Sequence, residues 1–219
     1  MDLFCLYTSV RHLCFVMAAT YVERKFSRMN CTPESIINLY QSGGARRSAG
    51  EPLSQLEHAW QCGRLAEKSG ATLPLQLASW LHDIGHLWVN GEGSPALHGQ
   101  NDAHEDVGAN LLLPVFGESV SEPIRWHVQA KRYLVTTRPG YVKKLSSDSL
   151  RSLQWQGGVM SPGDCQMFER KPHFVDALKL RVWDDLGKNT SWFDVSKEEA
   201  LEHLSALMTA VAARHVTKI

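Results

Sequence analysis

Histidine and aspartate residues interrupt several segments of this sequence that are otherwise apolar. The segment LASWLHDIGHLWVNG, residues 77–91, holds a His–Asp pair and a second histidine four positions after the first. Burying many ionisable groups costs several kcal/mol for each of them unless a shared charge compensates. We therefore predict a metal site, with these candidate residues: His58, His82, Asp83, His86, His104, His127 and Asp184.

The candidate ligands are imidazoles and carboxylates, and none is a thiolate. This mixture suits non-haem iron, manganese, zinc or nickel, whereas a structural zinc site typically uses cysteine. His82 and Asp83 are neighbours, so they cannot both face one ion from the same helix. A bridging carboxylate resolves this, because His82 can face one ion while Asp83 spans toward a second. The sequence therefore predicts two metal ions.

Helical patterns surround these residues. They cover residues 32–44, 52–70, 73–89, 103–117, 121–137, 173–188 and 196–217. The last pattern is amphipathic, with one apolar face formed by Leu201, Leu204, Leu207, Met208 and Val211. Residues 138–173 contain PGY, SSDS, QGG and SPGD, and we predict that this region is irregular. No alternating β-branched run is long enough for a sheet, so the sequence predicts an all-α, single-domain fold.

The composition excludes some classes of partner. Lys+Arg and Asp+Glu are both 23, and a formal net charge of zero argues against a broad nucleic-acid interface. No apolar run approaches the roughly 18 residues of a transmembrane helix, so no membrane partner is expected. The five cysteines form no CxxC pair and predict free thiols in a reducing, cytoplasmic compartment. Residues 1–31 are interpreted as an N-terminal extension of unknown role, before a main domain at residues 32–219.

The HDIGH motif at residues 82–86, with further histidines on both sides, is the signature of the HD-domain superfamily. The segments EPLSQLEHA, LHDIGHL, HEDVGANLL, HVQAKRYL, SLQWQGG and LRVWDDLGK occur in that order. Together they resemble the PhnZ-type HD-domain oxygenases over residues 32–193. The resemblance implies a helical bundle with a binuclear metal site in its core. It also implies two iron ions, Fe(II) and Fe(III), as the cofactor and O2 as a co-substrate.

The resemblance assigns a role to each candidate residue. The iron ligands would be His58, His82, Asp83, His104, His127 and Asp184, with Asp83 bridging. The substrate would be held by Glu51, His86, Lys131, Ser149, Ser152 and Arg181. Cations and hydroxyl donors suit a phosphonate dianion, and Lys131 and Arg181 each lie about one helical turn from a ligand.

One loop departs from the family pattern. Ser48 stands three positions before Glu51, where the family has a tyrosine that can ligate the second iron before substrate arrives. The acid at Glu51, which would contact a substrate amine, is retained. Because this loop caps the site, the departure leaves the substituent of the substrate open.

The resemblance implies an oxygenase that cleaves the C–P bond of a 1-hydroxyphosphonate. The products would be glycine and phosphate from 2-amino-1-hydroxyethylphosphonate, or formate and phosphate from hydroxymethylphosphonate. A 2-oxoglutarate-dependent phosphonate hydroxylase would supply the substrate. One alternative is an HD-type metal-dependent phosphohydrolase that acts on a phosphoester or nucleotide. Another is an HD domain that has lost activity and serves as a binding or signal-output module.

Overall fold

A computed structural model describes residues 31–47, 52–88 and 101–216. These ranges are helical and contain no strand, which confirms the predicted all-α class; a single backbone bridge pairs Arg47 with Ser54. The helices are α1 (Pro33–Gly43), α2 (Gln55–Lys68), α3 (Leu73–Leu81), α4 (Ile84–Trp88), α5 (His104–Phe116), α6 (Glu118–Thr137), α7 (Ser147–Trp155), α8 (Pro162–Glu169), α9 (Phe174–Leu186) and α10 (Lys197–Val216), with a 3-10 turn at Tyr141–Lys144.

The contacts within the chain group it into two units, Met1–Thr32 and Pro33–Ile219, and every helix named above belongs to the second. The N-terminal extension predicted at residues 1–31 lies almost wholly outside the described ranges and stays a prediction. In the described ranges, no helix is both long and apolar enough to cross a bilayer.

The single helix predicted for residues 73–89 is wrong, because the chain breaks after Leu81. His82 and Asp83 form a turn between α3 and α4. A break leaves carbonyl groups at the end of α3 without helical partners. The hydroxyl of Tyr40, on α1, donates to the carbonyl of Trp80 at 3.0 Å and satisfies one of them. The break therefore depends on a residue that lies 40 positions away.

The irregular region predicted at residues 138–173 is also wrong. It contains the 3-10 turn, α7 and α8. Ser146 and Ser161 are N-caps whose hydroxyl oxygens accept hydrogen bonds from the backbone amides of Ser149 and Asp164. Ser161 and Asp164 complete a capping box, and Pro162 occupies the first turn of α8. Ser146, Ser161 and Pro162, which suggested an interruption of helical structure, instead mark the starts of helices.

Helix α6 lies at the centre of the bundle. It packs against α5, α9 and α3, and α3 in turn packs against α2 and α10. The apolar side chains between these helices are buried, among them Leu77, Leu81, Ile84, Leu112 and Ile124. The predicted apolar face of α10 is confirmed, because all five of its residues are buried. Four of the candidate ligands lie on helices that this packing fixes: α2, α5, α6 and α9.

Helices α2 and α3 approach each other closely at Gly63. A Cβ atom at this position would lie 2.0 Å from the Cδ1 and Nε1 atoms of Trp80, a side chain that is itself 1% exposed. The indole ring therefore occupies the space that any larger residue would need. Since His58 lies on α2 and His82 directly follows α3, this contact sets the distance between two candidate ligands.

We expect Gly63→Ala to lower the free energy of unfolding by about 3 kcal/mol, because overpacking a rigid core forces helices apart. Gly163→Ala is the matched control: it also replaces a helical glycine, but its nearest neighbour would be Ser161 Oγ at 3.8 Å. The control should be neutral or stabilising by about 0.5–1 kcal/mol. Urea denaturation of both variants measures the difference, and equal stabilities would refute the close-approach argument.

Candidate metal centre

The structure brings all six candidate ligands together from five parts of the bundle. His58 projects from α2, His82 and Asp83 from the turn between α3 and α4, and the others from α5, α6 and α9: His104, His127 and Asp184. His82, His104, His127 and Asp184 are buried. Gly85 permits this convergence, because a Cβ there would lie 2.1 Å from the carbonyl oxygen of His104.

The Asp83 carboxylate lies between two groups of imidazoles. Its Oδ2 is 3.8 Å from Nε2 of His58. Its Oδ1 is 3.5 Å from Nε2 of His104 and 3.9 Å from Nε2 of His127. Nε2 of His82 is 3.5 Å from the same Oδ1. The carboxylate thus lies within reach of both groups, with Oδ2 facing His58 and Oδ1 facing His104, His127 and also His82, as expected of a bridging ligand.

Asp184 completes the group on the His58 side. Its Oδ1 lies 3.3 Å from Nε2 of His58 and 3.8 Å from Nε2 of His82. Metal–nitrogen and metal–oxygen bonds are about 2 Å long, so donor atoms separated by these distances can share one ion. The donors divide into a first position, His58, His82, Asp83 and Asp184, and a second position, Asp83, His104 and His127.

Every candidate imidazole is anchored through its other ring nitrogen. Nδ1 of His58 lies 2.9 Å from the carbonyl oxygen of Gly187, Nδ1 of His82 lies 3.0 Å from that of Ser79, and Nδ1 of His127 lies 2.7 Å from that of Ile124. Nδ1 of His104 lies 2.9 Å from Oδ1 of Asp102. Because each Nδ1 faces an acceptor and so carries the proton, each Nε2 is left as a donor for a metal.

Two observations test whether a metal fits this set. Nε2 of His82 is buried and has no hydrogen-bond partner, a costly arrangement for a polar atom. Nε2 of His104 faces Nε2 of His127 at 3.3 Å, so a proton or a cation must lie between two lone pairs. Both features are resolved by metal ions at the two positions. The donor set, four imidazoles and two carboxylates, fits non-haem iron.

The electrostatics of the centre favour the ligand forms of Asp184 and His127 but not that of His104. Burial opposes ionisation of Asp184, yet Arg181 and the imidazoles of His58 and His82 hold its pKa well below its usual range. Burial, reinforced by His104 and His82, lowers the pKa of His127 well below its usual range, so its ring is neutral. Burial also disfavours the His104 imidazolium, but Asp102 outweighs it and raises the pKa to about 9. A metal at the second position must therefore displace a proton from His104.

Cys62 lies beside the first position but is poorly placed to ligate. It forms a group of possible donors with His58 and His82, within 4.8 Å of one another. Its Sγ is 3.7 Å from Nδ1 and 3.8 Å from Nε2 of His58. Because the sulfur is equally far from both nitrogens, it does not lie along the lone pair of Nε2. Burial also raises the pKa of the thiol well above its usual value, which keeps it protonated.

Four of the residues predicted to hold substrate meet next to Asp184. Nζ of Lys131 donates to Oγ of Ser152 at 2.8 Å, and Nη2 of Arg181 donates to Oγ of Ser149 at 3.2 Å. Lys131 is 2% exposed rather than solvated. Burial, followed by the nearby Arg181 charge, lowers its pKa to about 7. We call Lys131, Ser149, Ser152 and Arg181 the cationic cradle.

The sequence analysis missed the residues that hold Arg181 in place. Nη1 of Arg181 donates to Oδ2 of Asp184 at 2.7 Å, while Nε and Nη2 donate to the Asp185 carboxylate. Tyr141 donates to the same carboxylate. The second aspartate of the WDD sequence was the available signal for this support. Lys188 was also missed, and its Nζ donates to Oγ of Ser146 at 3.1 Å and to Oγ of Ser149 at 3.3 Å.

The remaining substrate predictions have different outcomes. His86 stacks on His104 with ring centroids 3.9 Å apart, and its Nδ1 lies 2.7 Å from Oδ2 of Asp102, a residue that the sequence analysis missed. Glu51 and Ser48 lie outside the described residues, so their assigned roles stay predictions.

Comparison with known proteins agrees with this geometry. The HD domain family model matches residues 56–154. The chain is 39% identical to hydroxymethylphosphonate dioxygenase of Gimesia maris over 77% of this chain and 88% of the relative. It is 34% identical to [1-hydroxy-2-(trimethylamino)ethyl]phosphonate dioxygenase (glycine-betaine-forming) of Leisingera caerulea, over 75% of this chain and 83% of the relative. An uncharacterized protein of Acanthamoeba polyphaga mimivirus is 37% identical over 78% of this chain and 81% of the relative. The chain belongs to the PhnZ-type family of HD-domain oxygenases.

Proposed function

We propose that this protein is a mixed-valence di-iron oxygenase that cleaves the C–P bond of a 1-hydroxyphosphonate. The observation that carries the proposal is the Asp83 carboxylate, whose Oδ2 faces His58 and whose Oδ1 faces His104, beside a mostly buried cationic cradle. A phosphonate substrate is named for two relatives. The cradle supplies what such a dianion needs, since Lys, Arg and Ser are its preferred partners.

The reaction balances with O2 as the oxidant. Hydroxymethylphosphonate dianion and one O2 contain all the atoms of formate and dihydrogen phosphate. The carbon loses four electrons, which O2 gains, while its bond to phosphorus breaks. With 2-amino-1-hydroxyethylphosphonate the carbon product is glycine. A protein that consumes such substrates needs a preceding reaction that hydroxylates C1, and we propose a 2-oxoglutarate-dependent phosphonate hydroxylase for that step.

The protein's residues divide the work by position. His58, His82 and Asp184 would hold the first iron, His104 and His127 the second, and Asp83 would bridge them. When bound, the iron pair supplies activation of O2 and removal of the hydrogen from C1. The anchored Nδ1 atoms fix the direction of every imidazole before the metal binds, which limits the reorganisation that binding requires.

The cradle orients the substrate relative to this centre. Lys131, with Ser149 and Ser152, would bind phosphonate oxygens, and Arg181 would add a charge while it also holds Asp184. This double use makes Arg181 a poor test of substrate binding, because its removal also frees a candidate ligand. A fixed phosphonate places C1 at a defined distance from the metals, which is where orientation accelerates a reaction.

Apolar side chains exclude water from the inner wall of the centre. Trp80, Leu81 and Ile84 flank the His82–Asp83 turn and are at most 1% exposed. In a dry site the charged contacts of the ligands are stronger than in water. Exclusion of water also protects reactive intermediates from side reactions.

An HD-type phosphohydrolase is the second candidate function. The same ligands could activate a metal-bound water against a phosphoester or nucleotide. A hydrolase needs no oxidant, so dependence on O2 separates the two functions.

We expect Asp83→Ala to retain at most one iron per chain, because the second position would keep only His104 and His127. Anaerobic Fe(II) loading followed by iron and protein quantification measures this. Asp106→Ala removes an exposed carboxylate that pairs with Arg125 and should still bind two irons. Two irons in Asp83→Ala would refute the bridging assignment.

Phosphate release should require O2. We expect the iron-loaded protein to release phosphate from hydroxymethylphosphonate or 2-amino-1-hydroxyethylphosphonate in air and to release none under anaerobic conditions. Comparison of kcat/KM for these substrates and the trimethylamino analogue identifies the substituent at C2. Phosphate release at equal rates without O2, or hydrolysis of phosphoesters instead, would favour the hydrolase.

Lys131 should set the alkaline limit of activity. Its pKa of about 7 means that it loses its charge as the pH rises, so kcat/KM for the phosphonate should fall above about pH 7. Lys131→Arg keeps its charge at all these pH values, so we expect its alkaline limb to move up by at least one pH unit. Lys179→Arg, at an exposed lysine, is the matched control. An alkaline limb that is identical in Lys131→Arg and the wild type would remove Lys131 from substrate binding.

A further inference from the structure

Asp102 lies between two histidines with different assigned roles. Its Oδ1 is 2.9 Å from Nδ1 of His104, and its Oδ2 is 2.7 Å from Nδ1 of His86. The two rings stack with centroids 3.9 Å apart and an interplanar angle of 21°. One carboxylate thus fixes a pair of parallel imidazoles, and each of its oxygens serves a different ring.

Another acid near His104 is less suited to this role. Oε2 of Glu105 is 3.5 Å from Nδ1 of His104, farther than Oδ1 of Asp102. The same Oε2 atom is buried and makes no hydrogen bond. Asp102 is therefore the acceptor that holds the proton of His104 on Nδ1 and leaves Nε2 facing Asp83 and His127.

The backbone is shaped to keep Asp102 in this place. Ala103, the residue between Asp102 and the start of α5, has φ 48° and ψ 37°, a left-handed conformation that residues with a Cβ rarely adopt. This turn also brings Oδ1 of Asp102 to 3.4 Å from the backbone amide of His104. Strained residues of this kind persist where the surrounding structure requires them, often at functional sites.

We propose that Asp102 is a positioning residue that couples the second metal position, through His104, to the phosphonate contact made by His86. The His86 part rests on the proposed function, whereas the His104 part rests only on a metal at the second position. By holding both rings, Asp102 fixes the separation between a metal ligand and a substrate contact. A change in the position of either imidazole then shifts the other.

Replacement by asparagine separates this role from simple packing. Asn has nearly the shape of Asp, but only one of its two terminal atoms accepts a hydrogen bond. It can therefore accept the Nδ1 proton of one histidine, while its NH2 group faces the other Nδ1. If that second ring is His104, its proton must move to Nε2, which removes the lone pair that a metal needs. Asp106→Asn makes the same change at an exposed position of the first turn of α5 and is the control.

The test measures binding rather than turnover. Wild type, Asp102→Asn, His86→Ala, the double variant and Asp106→Asn are titrated with Fe(II) under anaerobic conditions. The dissociation constant of hydroxymethylphosphonate is then measured by calorimetry on the iron-loaded proteins without O2. Thermal unfolding of the proteins without metal reports any general loss of stability.

We expect Asp102→Asn to weaken the second iron by about 10- to 100-fold, the usual effect of removing an outer-shell partner, and to leave the first iron unchanged. His86→Ala should keep both irons but weaken phosphonate binding. In the presence of saturating iron, Asp102→Asn should weaken phosphonate binding too, but add nothing further when His86 is already Ala. Such non-additivity is the signature of two residues acting through one contact.

Unchanged affinities for both the second iron and the phosphonate in Asp102→Asn would overturn the proposal. So would an equal loss of both irons together with a lower melting temperature, because that pattern indicates general destabilisation. Additive effects of Asp102→Asn and His86→Ala on phosphonate binding would refute the coupling. If the wild type binds two irons but no phosphonate, the proposed substrate class fails, and the second-iron affinity alone decides whether Asp102 positions His104.

Discussion

The shared carboxylate of Asp83 is the constraint on which the rest of the structure depends. His82 and Asp83 both face the first position, which neighbours on a continuous helix cannot do because their side chains point about 100° apart. The chain therefore ends α3 at Leu81 and starts α4 at Ile84. The hydroxyl of Tyr40 donates a hydrogen bond to a carbonyl group at the break, and Gly85 lets α4 approach the first residue of α5. Features that look unrelated along the chain serve this one geometry.

The sequence predicts the types of the ligands well, but it predicts poorly the structural features that hold those ligands in place. An imidazole among apolar residues, as at His82 and His127, is visible without a structure because its burial demands compensation. The helix break is not visible, because the apolar periodicity of residues 73–89 continues through it and its stabilising partner lies on α1. Ser146 and Ser161 cap helices, yet they stand among Gly, Pro and Asp residues that are also typical of loops.

The supporting residues were missed for a related reason. Asp102 and Asp185 are each adjacent or nearly adjacent in sequence to a candidate ligand, and an isolated aspartate beside a helix end is most often a surface residue. Only the fold shows that Asp102 faces two imidazoles and that Asp185 faces Arg181. Roles that depend on the direction of a side chain follow from tertiary contacts, whereas ligand types follow from chemistry.

The balance of charge explains why the cradle lies where it does. Two carboxylates and four neutral imidazoles do not neutralise an Fe(II)/Fe(III) pair, so the proposed centre stays cationic and attracts an anionic substrate. Arg181 is already paired with Asp184 and Asp185. These carboxylates fix its geometry but offset part of the positive charge that it presents to the substrate. Lys131 is buried beside it, and burial, with a smaller repulsion from the Arg181 charge, lowers its pKa. A phosphonate dianion would relieve that repulsion and would bind close to the metals, where its C1 hydrogen must lie.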